Sequence, residues 1–474
     1  MSFQSFSFLA FLALTVTVCL TAGRKAPWLG RLLLMLACLV FYIAGAGWTG
    51  FLVLAVGMTV TAVTLQRLCG EDAPARRRAM ALACCYHIAV LAAFKYAGFL
   101  TGGRVSAGWA PLGLSFFTFQ QLWLLKEGYT RQYVPAQGDD LILYAFFFPT
   151  VTSGPILRPG AFFPQLRGDK FLHPDWQDAA AGLYAICIGM AKKALLAEGF
   201  GVIVNNGYAH PEQLTTLSGA MVVLGYTLQL YFDFSGYCDV AAGCARLLGI
   251  RLPVNFDSPY RSLSVGEFWK RWHITLTTFL RECLYFPLGG SKKGRARTYL
   301  NILIVFLVSG LWHGAGWTFL LWGALHGLAQ IAERLLGRRL DRLPAWLRWG
   351  LTFVFVNLAW VYFRAPTVAA GNQILGALCA FDFAKPTQWL SEGLFTCEQE
   401  VIRILLPAIA PWRNTLVTGT LYIVGLAAVL WPRNAVREMD RFRPTFWRGA
   451  ALWVLGVWSV LSFSGITQFI YANF

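Results

Sequence analysis

Three of the six histidines of this chain fall between Tyr231 and His326, in sequence that mixes apolar helix with ionisable and aromatic side chains. His313 sits inside LVSGLWHGAGWTFLLWGALHG (307–327), a run that hydropathy reads as membrane-spanning, and His273 follows the string Glu267, Phe268, Trp269, Lys270, Arg271, Trp272. An ionisable group at the bilayer centre costs about 3 kcal/mol or more, so it is read first as functional. A neutral imidazole, with an ordinary pKa near about 6.5, can take a proton from a hydroxyl and return it, which acyl transfer to an alcohol requires. Gly314 and Gly316 permit a helix break or close packing at His313, and Trp312 and Trp317 stand nearby. For His326 the plainer reading is a core histidine bonded to a backbone carbonyl.

The segment 262–290 reads as one helix. Phe268, Trp269, Trp272, Leu276, Phe279 and Leu280 recur at three- and four-residue intervals on one face, and Glu267, Lys270, Arg271 and Arg281 occupy the rest. Such a helix suits the membrane interface, with its tryptophans at headgroup level, or the wall of a polar cavity. Arg281, Glu282 and Tyr285 extend the polar set before the chain breaks at PLGG (287–290) into a basic loop. A cationic loop beside a polar cavity is a dock for an anionic donor such as a phosphopantetheine or coenzyme A thioester. Asp233, Asp239 and Glu267 are too few and too scattered to argue a proton relay.

The elements that must position these groups are membrane helices. Hydrophobic residues make up 57% of the 474 and charged ones 13%, with a mean hydropathy of +0.54, well above an ordinary soluble domain. Apolar runs lie at 8–22, 32–47, 49–65, 79–100, 180–206, 217–237, 299–312, 318–333, 347–364, 415–431 and 448–466. Shorter pieces at 110–125 and 140–152 are spans, re-entrant hairpins or surface helices. This predicts an all-α polytopic protein with about ten to thirteen membrane helices, as a single embedded domain over 1–474, with a core at about 110–330 and C-terminal helices at 347–474. The first run has no basic stretch before it and no small-residue cleavage site, so it is expected to be a membrane helix and not a removed signal.

The net charge of +17 comes from short basic clusters between the runs. Placed on the cytoplasmic side, they put the N-terminus outside and leave the outer loops poorly charged. The outer stretch at about 380–413 has room for a short amphipathic helix. No basic-plus-aromatic module points to nucleic acid. Seven of the 11 cysteines (Cys19, Cys38, Cys84, Cys85, Cys187, Cys244, Cys379) lie in apolar segments as small packing residues, so neither a disulfide framework nor a metal site is expected. Serine-hydrolase, Walker, zincin and dinucleotide motifs are absent from the sequence, as are the internal repeats of an inverted-repeat transporter.

Five stretches together resemble the membrane-bound O-acyltransferase family, and within it the bacterial alginate O-acetyltransferase branch. They are LGLSFFTFQQ (112–121), FFFPTVTSGPILRPGAFFPQL (146–166), the segment from Leu228 to Gly290, LWHGAGWTFLLWGALHG (311–327) and FIYANF (469–474). The resemblance implies transfer of an acyl group, acetyl above all, from a cytoplasmic thioester to a hydroxyl of an extracytoplasmic polysaccharide, through a tunnel in a multi-helix fold. The family's histidine falls on His313, as general base. A second polar position falls 40 residues upstream on His273, to orient a substrate or stabilise the oxyanion. Trp269, Trp272, Arg281, Tyr285, Asp233 and Trp312 are the candidate substrate contacts.

No tightly bound cofactor is implied; the donor would be acetyl-coenzyme A or an acyl carrier protein. Expected partners are membrane lipid and accessory extracytoplasmic acyltransferase proteins, in a bacterial inner (plasma) membrane. The sister branch moves D-alanine from a carrier protein to teichoic acid, and a transporter or flippase relaying protons through the two histidines is the other alternative. The chain departs from the branch at LLKEGYTR (124–131), where Glu127 replaces an aspartate beside Lys126, and at RECLY (281–285) in place of RDYLY.

Overall fold

The computed structural model describes residues 3–70, 72–105, 109–130, 138–384, 388–431 and 434–465. The FIYANF ending lies outside them. Every regular element among the described residues is helical, as expected where a bilayer leaves the backbone no partner but itself. The principal helices are α1 (Phe6–Lys25), α2 (Pro27–Gly70), α3 (Ala73–Leu100), α4 (Leu114–Tyr129), α5 (Gly138–Phe146), α6 (Trp176–Ala209), α7 (Thr216–Leu247) and α8 (Val265–Arg271). They continue with α9 (Ile274–Leu280), α10 (Arg295–His313), α11 (Trp317–Leu336), α12 (Ala345–Arg364), α13 (Val368–Leu378), α14 (Thr396–Leu405), α15 (Arg413–Leu430) and α16 (Phe446–Leu461).

A helix stands at each expected run. The runs at 32–47 and 49–65 form one 44-residue element bent at Gly47, whose φ of 72° suits glycine. At 1.5 Å per residue it is about 66 Å long, twice the hydrocarbon thickness, so the bend divides it into two spanning legs. By length and apolarity, six of the described helices qualify as membrane spans, fewer than the ten to thirteen expected. Part of the difference is the bent α2, counted once for its two legs, and part is α7. From Gly225 to Leu247 it is buried throughout, so its surface is set by protein neighbours and not by lipid. The amphipathic helix expected near 380–413 is α14, none of whose residues is buried.

Two close helix pairs hold this core. On α6 and α7, a Cβ at Gly236 would stand 2.7 Å from the Gly189 carbonyl oxygen. On α10 and α11, a Cβ at Gly310 would stand 2.3 Å from that of Phe319. Both are the small-residue contacts that let membrane helices approach. Within α6 a π turn (Lys192–Ala197) lets consecutive lysines face α7. There Lys192 pairs with Asp239 at 2.6 Å and Lys193 pairs with Asp233.

The segment 265–290 leaves the basic side and returns to it. Its start is tied to the C-terminal end of α11, where Glu333 accepts from the backbone N–H groups of Val265 and, at 2.9 Å, Gly266. Its end is tied to the N-terminal half of α10, where Asn301 Nδ2 donates to the Gly290 carbonyl at 2.9 Å. Both anchors adjoin basic loops, so His273 lies at the turn of a re-entrant excursion.

Candidate active site

The single helix expected over 262–290 is instead broken at His273, a non-glycine residue with φ 44°. Such a conformation costs about 1–3 kcal/mol and persists only where its surroundings impose it. Here the segment 255–257 imposes it by taking over the backbone bonds that a continuous helix would have made. Asp257 N–H donates to the Arg271 carbonyl at 2.9 Å, and Ile274 N–H donates to the Asn255 carbonyl at 3.0 Å. The Asn255 side-chain oxygen accepts from Thr275 N–H at 3.2 Å and from Thr275 Oγ1 at 3.0 Å.

The same oxygen stands 3.2 Å from His273 Nδ1. Because a backbone N–H only donates, the Asn255 atom is an acceptor, and the His273 nitrogen facing it carries the proton. In neutral His273 the lone pair is therefore on Nε2, a buried atom with no hydrogen-bond partner among the described residues. As a neutral group His273 offers an acceptor, which suits a substrate O–H or N–H; stabilising an oxyanion would require a second proton.

His313 is the last residue of α10, and the chain leaves the helix at Gly314 in extended conformation. The two imidazoles meet with ring centroids 6.5 Å apart, and both residues are buried, His273 at 0% and His313 at 1% exposure. Trp312 packs between them and α4, its centroid 6.1 Å from His273 and 5.2 Å from Phe116. Trp322 and Phe363 close the other side of His313 at 5.2 and 5.1 Å. The ring faces protein on both sides and not lipid.

A cleft of about 160 Å³ climbs toward this pair from the basic side. Arg281, Tyr285 and Arg334 line it together with Trp269 and Leu276, and along α10 its wall is Ile302, Val305, Phe306 and Ser309. Those four occupy one helical stripe, and the next positions on it are Trp312 and His313. The wall ends one turn short of the histidine.

Of the expected contacts, Arg281, Tyr285 and Trp269 line the cleft, and Trp312 touches both histidines. Trp269 also donates to His326 Nδ1 at 3.2 Å, so His326 is a core histidine whose partner is an indole and not a carbonyl. Trp272 is enclosed by Phe256, Phe268 and Trp360 at 5.0, 5.5 and 5.1 Å. Asp233 faces Lys193 and not the cleft. Sequence reasoning missed Asn255, which nothing local marks, and Lys95, a cation inside an apolar run. Among the described residues no three His, Cys, Asp or Glu side chains gather as a metal site.

Buried helices converging on two neighbouring imidazoles, one turn beyond the wall of a cleft, define a polytopic membrane protein with a candidate site for proton transfer. The family model for membrane-bound O-acyltransferases matches residues 139–369, which contain both histidines. A peptidoglycan O-acetyltransferase of Helicobacter pylori is 35% identical over 75% of this chain and 75% of its own length. A probable alginate O-acetylase of Pseudomonas putida is 35% identical over 74% and 75%. A teichoic acid D-alanyltransferase of Bacillus subtilis is 27% identical over 53% and 68%. The chain belongs to the membrane-bound O-acyltransferase family. It is a multi-pass membrane enzyme of the O-acyltransferase class, which sets aside the transporter reading.

Proposed function

We propose that this enzyme moves an acyl group, acetyl above all, from a cytoplasmic thioester to hydroxyls of a secreted or cell-surface polysaccharide. The observation that carries the reading is the meeting of His273 and His313 at the end of a stripe that begins between Arg281 and Arg334. The two cations at the mouth suit the phosphates of a pantetheine-bearing donor, acetyl-coenzyme A or an acyl carrier protein, and the apolar wall suits its arm.

In the scheme His313 takes the proton of the acceptor hydroxyl as its oxygen adds to the thioester carbonyl. The tetrahedral intermediate then collapses, the C–S bond breaks, and the proton held by His313 leaves with the sulfur as free thiol. His273 holds a substrate N–H or O–H at Nε2. Binding both reactants in one buried place supplies the proximity that the uncatalysed reaction lacks.

Relatives named for alginate and peptidoglycan support a carbohydrate acceptor. The D-alanyl alternative is favoured less, because that relative is less similar over a smaller share of the chain. We place the enzyme in a bacterial inner membrane, working with extracytoplasmic acyltransferase proteins that complete the transfer. The test is thiol release from acetyl-coenzyme A and from acetylated carrier protein by the purified enzyme in lipid nanodiscs, with candidate polysaccharides and accessory proteins supplied. Acceptor-dependent release with label in the polymer is expected; no label from either donor would sink the proposal.

A further inference from the structure

One cation that this scheme leaves unused sits behind His313. Lys95 belongs to the π turn Ala92–Tyr96 near the end of α3, inside an otherwise apolar run. Its ammonium donates to the Trp312 carbonyl and, at 3.2 Å, to Ser115 Oγ, and lies 5.7 Å from the centre of the Trp312 ring. The adjacent Tyr96 hydroxyl donates to the Leu311 carbonyl at 2.9 Å.

These carbonyls belong to the last turn of α10, where the helix supplies no further N–H donors. The chain turns away at Gly314, whose own N–H reaches back to the Gly310 carbonyl at 3.2 Å. A positive charge is favoured at this negative end of the helix dipole. A cation within an apolar span carries a desolvation cost that a neutral side chain would avoid, which argues for a role beyond packing.

We propose that Lys95, assisted by Tyr96, is a positioning residue that fixes the terminal turn of α10, so that the His313 ring is presented to His273. The inference rests on His313 acting as the base. Two successive residues reach two successive carbonyls because they sit in a π turn, a device common at functional sites.

The test measures kcat and donor KM in native membranes for Lys95→Met, Lys95→Arg and Tyr96→Phe, with His313→Ala as reference, each normalised to folded protein. Lys95→Met should lower kcat by about 10- to 100-fold, the scale of a misplaced catalytic group, with donor KM unchanged and most of kcat restored in Lys95→Arg. Wild-type kcat in Lys95→Met beside an inactive His313→Ala overturns this inference alone; an active His313→Ala overturns the base assignment and this inference with it. Should Lys95→Met fail to accumulate, Tyr96→Phe decides: a several-fold loss of kcat at constant KM supports the clamp, and wild-type kcat overturns it.

Discussion

The Lys126 ammonium stands 3.3 Å from the Glu282 carboxylate, which joins LLKEGYTR (124–131) to RECLY (281–285), the two stretches that depart from the pattern implied by the resemblance to the alginate branch. Arg158 joins them, 3.6 Å from Glu282 and 2.8 Å from Glu127, whose second oxygen accepts from Gly160 N–H at 3.0 Å. The departures are thus one network that ties the end of α4 to the π turn Arg281–Tyr285 at the mouth of the cleft.

Because Glu282 is held from two sides, Lys126→Ala should cost little stability, about 1 kcal/mol or less for a partly exposed pair. It should raise donor KM a few-fold by loosening the turn that carries Arg281 and Tyr285. In a double-mutant cycle, Lys126→Ala should raise donor KM less when added to Glu282→Gln than when added to wild type, and fully additive effects would separate the pair from donor binding. Glu127→Ala is different. It strips a buried acceptor from Arg158 and Gly160; with Arg158 partly exposed and still paired with Glu282, the cost should be about 1–3 kcal/mol, seen as a lowered thermal midpoint in detergent.

Asn255 fixes which nitrogen of His273 carries the proton. Asn255→Asp keeps an acceptor at that place and should retain more activity than Asn255→Leu, which leaves His273 Nδ1–H and Thr275 N–H without their partner. A fall in kcat of about 100-fold in the leucine variant is expected, and equal activity in the two variants would remove Asn255 from the account.

Helix approach at α10 and α11 is tested by Gly310→Ala. Its Cβ would fall 2.3 Å from the Phe319 carbonyl oxygen, so the helices must part. A loss of about 1–3 kcal/mol in stability and a matching fall in activity are expected. Gly449→Ala, with nothing within 4 Å of the added carbon, is the control and should be neutral or slightly stabilising.

Sidedness follows from the basic loops. With the exposed cysteines Cys69, Cys85, Cys379 and Cys397 replaced by serine, Lys293→Cys should react with an impermeant maleimide only in inverted vesicles, and Arg403→Cys only in intact cells. The opposite pattern would reverse the topology.

Much of this was legible in the sequence for reasons of scale. A bilayer demands long apolar runs, so α1 to α3, α6, α10 and α11 stand where hydropathy puts them, and Gly314 marks the end of α10. The break at His273 was not legible. No glycine or proline signals it, and the bonds that sustain it come from Asn255, 18 residues upstream, and from the neighbouring Asp257. An unbroken amphipathic pattern therefore read as an unbroken helix. Trp269 and Trp272, placed together on one face of that helix, instead point to His326 and to the Trp360 cluster. Lys95 was visible as a charge in an apolar run, yet its carbonyl partner, that of Trp312, lies more than two hundred residues away.

The central claim is that His313, beside His273, is the base that carries the proton in acyl transfer, and single-turnover acylation by His313→Gln tests it most directly. Glutamine keeps size and hydrogen bonding but cannot act as a base at neutral pH. With normal amounts of folded protein in the membrane, the account predicts a rate at least about 100-fold below wild type. A wild-type rate would contradict it.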